Sequence, residues 1–379
     1  MAEPIHLWQE TPVRQNGTVT VGVVMEQGAA RKRLWYRVPD EHAAALTTAC
    51  DPYVVALQFP AMLKRADLFV HGSVSPALLR NLEEFQNVWA CWQPDKYAAV
   101  RIFADAEQEI PRVSANAAIS AFSTGVDAAY TVWCHRRALC GRRTQNLQAG
   151  ILVHGSDIKL EHDAVYEIVL QRARAMLASV GMQVIPIATN LRQFDTGWLA
   201  SNGVGAGIAS CLMLFQAGWN TGLIASGSTY DHIHYNLGSS FLTDRFLSSG
   251  AFTVINDAAE IKRLDKVRAL AQWEHARRNL RVCWQSDAYE NCCHCRKCIR
   301  TILEFRAVGA GLPECFPRDI NKRTILLQGS SAAELDFLEE VAAAIQSDKL
   351  SGAWTRAARL ACYISRVRSA GKNLFARAV

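Results

Sequence analysis

"AAISAFSTGVDAAYTVW", residues 117–133, is the stretch on which the reading of the fold turns. An apolar run ends at Phe122, a polar turn follows from Ser123 to Asp127, and helical spacing begins after it. Strand, turn and helix in that order are one half of a βαβ unit. The turn itself carries Ser123, Thr124, Gly125, Val126 and Asp127. Backbone N–H groups at a helix N-terminus, helped by two hydroxyls, suit an anion such as phosphate. Asp127 falls in the first helical turn, where it can face the helix dipole or hold Mg²⁺. No G-K-[ST] follows, so this is not a Walker A loop. A plain strand–turn–helix junction with Ser123 as N-cap accounts for the same residues.

Working outward, the alternation continues. "LQAGILVHGSD" (147–157), "MQVIPIATN" (182–190) and "NTGLIASGS" (220–228) read as strands. Between them lie an amphipathic helix over 162–181, stopped by Gly181, and a small-residue helix over 201–218. Strands separated by helices predict a parallel sheet with helices on both faces. Ligands in such sheets bind beyond the carboxyl ends of the strands. The expected site is therefore built from Ser123–Asp127, His154–Asp157, Thr189–Asn190 and Ser226–Asp231. Residues 1–112 read differently. "GTVTVGVVME" and "KRLWYRVP" look like strands, and no cluster of catalytic residue types appears there. They predict a smaller α+β accessory domain.

Composition sets limits. The chain has 379 residues, half of them apolar and a fifth charged, which fits two or three globular domains. A formal charge of +6 permits nucleotide ligands without arguing for nucleic acid. No run approaches the roughly 18 apolar residues of a membrane helix. The opening "MAEPIHLWQE" has no basic region followed by an apolar core, so a cytoplasmic protein is expected.

In that compartment a tight cysteine cluster is expected to bind metal or react, not to form disulfides. There are twelve cysteines. Cys50, Cys91, Cys134, Cys140, Cys211, Cys315 and Cys362 are scattered and read as small buried hydrophobes. "NCCHCRKCIRT" (291–301) places Cys292, Cys295 and Cys298 at i, i+3 and i+6. Two overlapping C-x-x-C steps let thiolates converge on one ion, and Cys283 supplies a fourth ligand for tetrahedral Zn²⁺. Cys293 is then spare, and His294 is an alternative ligand. An iron–sulfur cluster and a redox pair use similar spacing. Arg296, Lys297 and Arg300 on the following helix would offset the charge of four thiolates.

These two motifs carry a resemblance. "FSTGVDA" resembles the SGGxDS pyrophosphate loop of the ATP-pyrophosphatase (PP-loop, adenine nucleotide alpha-hydrolase-like) superfamily. Cys283 with Cys292, Cys295 and Cys298 looks like the C-terminal zinc knuckle of the cyano-deazaguanine synthase family within it. "NCCHCRKCIRT" is also similar to the NCGxCxKCLRT ending of another branch. The resemblance covers roughly residues 114–315. Ser123, Gly125 and Asp127 match the loop, whereas Thr124 and Ala128 stand where the superfamily has Gly and a hydroxyl residue. A β-branched residue resists the positive φ that Gly allows. The resemblance implies an AMP- and pyrophosphate-forming ligase that uses ATP and Mg²⁺ to activate an acid for attack by an amine, ammonia or sulfur. It also implies a structural zinc. A zinc-stabilised nucleotide- or nucleic-acid-binding protein without turnover is the alternative. His154, Gly155, Ser156 and Asp157 resemble the adenine side.

Other residues are weighed against this frame. The polar stretch 227–246 offers Tyr230, Asp231, Ser239, Ser240 and Asp244 as candidates to face substrate. His232 and His234 read as solvated loop residues. Arg263 and Lys266, at i and i+3, resemble an R-x-x-K pair that reaches the site in the related branch. Gly203, Gly205 and Gly207 read as close helix packing, not as a dinucleotide fingerprint. From Trp354 onward the chain carries Arg356, Arg359, Arg366, Arg368, Lys372 and Arg377 with no acid, which suits an anionic partner. The expected organisation is an accessory domain (1–112), an ATP-binding domain (113–275), a zinc knuckle with its helix (276–325) and C-terminal helices (326–379). A homodimer and an unidentified acid substrate complete the expectation.

Overall fold

A computed structural model describes residues 2–114, 116–194, 202–231, 237–284, 289–326 and 332–376. The chain divides into two compact units, Met1–Ser123 with Asp127–Ile261, and Thr124–Val126 with Lys262–Val379.

The first unit is an α/β structure on one mixed, mostly parallel sheet. Its strands are β1 (Ile5–Gln9), β2 (Val13–Gln15), β3 (Thr18–Gln27), β4 (Ala30–Pro39), β5 (Leu68–Val74), β6 (Ile102–Glu107), β7 (Ala118–Ala121), β8 (Leu147–His154), β9 (Gln183–Thr189), β10 (Thr221–Ala225) and β11 (Thr253–Asp257). They lie in the order β11-β10-β7-β8-β9-β4-β3-β1-β5-β6, with β2 paired to β3. The five strands from β7 to β11 are all parallel to their neighbours within that set. Counted from β7 as first, they run 3-2-1-4-5, so the order reverses between β7 and β10. Such a reversal opens a crevice at the carboxyl ends of those two strands.

Helices α1 (Asp51–Lys64), α2 (Pro76–Trp92), α3 (Val126–Arg136), α4 (Asp163–Ala178) and α5 (Val204–Met213) accompany the sheet. Alternation along β8 shows why both faces are covered. Ala149 and Ile151 join the core that contains α5, while a Cβ on Gly150 would lie 2.9 Å from Leu177 of α4. Buried central strands tolerate the continuous apolar runs that identified them.

The strands of residues 1–112 extend this same sheet. β4 meets β9 antiparallel through only two residue pairs, Tyr36 with Thr189 and Arg37 with Ala188. Asn190 fastens the seam, accepting from Trp35 N–H and donating to the carbonyl of Arg33. The expected break near residue 112 therefore falls between β6 and β7, inside one unit. Cys134 and Cys140, read from the sequence as isolated buried thiols, are joined as a disulfide at the end of α3.

The second unit holds α6 (Arg263–Leu270), α7 (Glu274–Asn279), α8 (Arg296–Ala307), α9 (Lys322–Leu326), α10 (Ala332–Ser347) and α11 (Ala353–Ala376). No helix among the described residues is long and apolar enough to cross a membrane.

Candidate functional site

In the second unit the cysteines at 283, 292, 295 and 298 converge, with all four Sγ atoms within 4.8 Å of one another. A tetrahedron of sulfurs around zinc at about 2.3 Å has edges of about 3.8 Å. Two opposite edges here measure 3.9 Å (Cys283–Cys295) and 3.8 Å (Cys292–Cys298). The group can therefore hold a metal such as zinc.

Local chemistry explains the convergence. Cys293 adopts a left-handed backbone (φ 62°), which turns the chain so that Cys295 N–H donates to Cys292 Sγ at 3.2 Å. Cys295 is the N-cap of α8, and Cys298 lies in that helix's first turn. The buried Asn291 ties the two ligand-bearing segments together. Its Oδ1 accepts from the N–H groups of Val282 and Cys283, and its Nδ2 donates to the carbonyls of Leu280 and Cys315. No motif in the sequence marks that amide, although it directly precedes the cysteine run. Cys293 donates to the Asn291 carbonyl, and the exposed ring of His294 meets the Cys292 carbonyl, so both stay out of the group. A hydrogen bond from Cys298 pulls the Cys295 thiol down to about 5, while the same pairing pushes Cys298 up. Burial raises Cys292 as well, so Cys292 and Cys298 hold their protons more tightly than Cys295 does.

At the carboxyl end of β7 the chain makes the turn into α3. Thr124 takes the left-handed conformation (φ 61°) with its side chain fully buried, and its carbonyl accepts from Arg281 N–H. A β-branched residue held at positive φ costs on the order of 1–3 kcal/mol. The turn thus keeps the backbone that Gly would supply, and Thr124 offers no exposed hydroxyl. Asp127 stands partly exposed in the first turn of α3. One residue set here escaped the sequence reading. Asp257, the last residue of β11, accepts from Thr131 Oγ1 (2.7 Å) and lies 3.2 Å from His135 Nε2. Gln145 N–H donates to His135 Nδ1, so the ring proton sits on Nε2 and faces Asp257. These bonds hold α3 by its middle and end.

At the end of β8, Gly155 has φ 96°, and a Cβ there would lie 1.9 Å from the Thr189 carbonyl oxygen. Only glycine fits this close approach. His154 is buried, stacked on Tyr166 at 4.2 Å and bonded to the Lys159 carbonyl, so its ring is structural. Ser156 gives its carbonyl to Arg192, and Asp157 is exposed. A cleft of about 20 Å³ lies beside Gly155 and Ser156, between Thr189 and the start of α5.

Beyond β10, Tyr230 is half exposed against Phe241, and Asp231 is exposed. Ser239 and Asp244 are turned towards each other instead of outward. Asp244 is buried and accepts from Ser239 Oγ, Ser240 N–H and Asn256 Nδ2. Gly205 approaches this cluster so closely that a Cβ would lie 2.5 Å from the Gly238 carbonyl oxygen, the close packing expected of that glycine. His232 and His234 lie outside the described residues.

Burial raises the Asp244 carboxyl to about 6. A folded-state value above the unfolded one means that the folded chain binds the extra proton. Stability from this group is full below about pH 4 and is lost as pH rises through 6. Each tenfold gain in proton affinity on folding is worth about 1.4 kcal/mol, so wild type should lose about 2–3 kcal/mol across that window relative to Asp244→Asn. Denaturant unfolding of both proteins at pH 4.5 and 7.5 measures the difference, and parallel pH slopes would refute it.

The proposed phosphate-facing cations of α6 sit in the second unit. Arg263 pairs with the buried Glu304 at 3.2 Å, and Arg300 pairs with the same carboxylate at 2.9 Å. Lys266 is 2 % exposed, so its amine is not offered to solvent. In the basic tail, Arg366 is engaged by Glu339. No protein-family model, curated protein or solved structure matches the chain.

Proposed function

We infer that this chain is an ATP-dependent ligase that releases AMP and pyrophosphate, with a structural zinc in its four-cysteine group. The observation that carries the reading is the reversal of strand order between β7 and β10, with the Ser123–Asp127 turn on one side of it. In open parallel sheets that is where a nucleotide's phosphates lie. Amides at the start of α3 offer hydrogen bonds to phosphate oxygens, and the positive end of the helix dipole favours their charge. The Asp127 carboxylate is a hard oxygen ligand suited to Mg²⁺. When bound, Mg²⁺ neutralises charge on the phosphates. Asp257, through Thr131 and His135, fixes the helix that presents those amides.

In the proposed reaction an oxygen of the substrate acid attacks the α-phosphorus, and the bond to the pyrophosphate oxygen breaks. An amine, ammonia or sulfur nucleophile then displaces AMP. Positioning and charge neutralisation supply the catalysis, with no nucleophile triad required. Cys283, Cys292, Cys295 and Cys298 would supply all four ligands of a bound zinc, whose part would then be structural and not hydrolytic. Incubation with ATP and a panel of carboxylic acids is expected to yield AMP and pyrophosphate in equal amounts. Formation of ADP and phosphate would exclude this chemistry.

The engagement of Arg263 with Glu304 and the buried Thr124 side chain favour a second reading, a nucleotide-binding protein without turnover. Nucleotide binding with no AMP from any acid would select it.

A further inference from the structure

β6 is the last strand of the sheet, so among the described residues one of its edges pairs with no strand. Leu68 N–H bonds to the Arg101 carbonyl, and Leu68 and Val70 register with Ile102 and Ala104. In a parallel ladder alternate residues address the same neighbour. Arg101 and Phe103 therefore face β5, while Ile102 and Ala104 turn their N–H and C=O groups to the open side. Beside that edge runs a groove of about 520 Å³, within the range of sites that bind ligands. Leu79, Glu83 and Gln86 of α2 form one wall, and Val100, Ile102 and Glu107 line the other.

Two observations say what fits. Gln86 is 1 % exposed, and its Oε1 accepts from Val100 N–H, but its Nε2 has no partner. A buried donor left unpaired costs about 1–3 kcal/mol. The groove's charge is also one-sided. Arg101 is committed to Asp67 by two bonds, which leaves the Glu83 and Glu107 carboxylates. Natural sheets usually block such an edge or use it for strand addition.

We propose that this groove binds an extended basic peptide segment of a partner protein, which adds a strand to β6 and places Lys or Arg side chains against Glu83 and Glu107. The inference is independent of the nucleotide site. The probe is a fluorescein-labelled acetyl-Lys-Val-Lys-Val-Lys-Val-Lys-amide, measured by anisotropy with the full chain. Micromolar binding is expected. It should weaken at least tenfold in Glu83→Lys with Glu107→Lys, and equally in Ala104→Pro. The proline removes an outward N–H and leaves the β5 ladder intact, since edge strands tolerate it there. A probe N-methylated at alternate residues should not bind wild type, a control that needs no variant to fold. No binding of the first probe, equal binding of the N-methylated one, or full affinity in the Glu83/Glu107 variant overturns the proposal.

Discussion

Cys295→Ser is expected to leave the chain without tightly held metal and to unfold the segment around the knuckle. Cys295 faces Cys283 across one edge of the sulfur group and caps α8, so one substitution removes a ligand and alters a helix start. Structural zinc contributes about 10–16 kcal/mol of apparent binding energy in small zinc peptides at neutral pH. A whole domain is stable by only about 5–15 kcal/mol, so the loss is of the same order as everything else that holds the fold. Asn291 still ties Leu280 to Cys315, but a single amide cannot replace that energy. Cys293→Ser is the control, because its sulfur lies outside the group and should keep the metal. Metal analysis with limited proteolysis of the 276–325 segment reads both outcomes. About one zinc per chain in Cys295→Ser, or unchanged protease resistance, would refute the structural-zinc reading. A visible-absorbing iron cluster in wild type would refute it too.

Asp127→Asn should lower AMP formation about a thousandfold, or about 4 kcal/mol of transition-state stabilisation, while leaving the fold in place. The side chain is partly exposed at the first turn of α3, and Asp257 grips that helix further along. Asn keeps shape and polarity but removes the charge that, on the proposed reading, would hold a magnesium ion against the anionic phosphates. A decrease smaller than about tenfold, with an unchanged unfolding curve, would count against a catalytic Asp127. The companion change, Thr124→Gly with Ala128→Ser, tests the departures from the resembled loop. The left-handed backbone is already present at Thr124, so Gly relieves strain there without redirecting the chain. Activity should stay level or rise.

How much was legible follows from where the information sits. The parallel half was readable because each strand is a short apolar run and each helix repeats at its own period. The cysteine group was readable because three ligands lie within seven positions and need one metal geometry. Thr124 was visible as a conflict between a residue type and the backbone a turn demands, and the conflict is real (φ 61°). Other features depend on partners far away. Arg263 looks like any solvated helix cation until Glu304, 41 positions later, is brought against it. Asp231 and Asp244 are indistinguishable as letters, yet one is exposed and the other is closed in by Ser239, Ser240 and Asn256. Residues 1–112 are joined to the parallel strands by two ladder pairs, by Asn190, by the Tyr36–Ser210 hydrogen bond and by a shared apolar core, contacts between distant residues that leave no periodic trace.

The short β4–β9 ladder has a consequence for how the protein is made. β4 leaves the ribosome long before β9 exists, and Tyr36 waits for Thr189. At roughly 5–20 residues per second, the intervening chain takes roughly 8–30 s to synthesise. Throughout that interval β4 shows an unpaired edge, the kind of surface on which nascent chains stick to one another. Arg31 and Arg33 of that strand are paired with Glu26 and Glu10, and Lys32 and Arg37 stand beside them, so two such edges meeting would set like charges against each other.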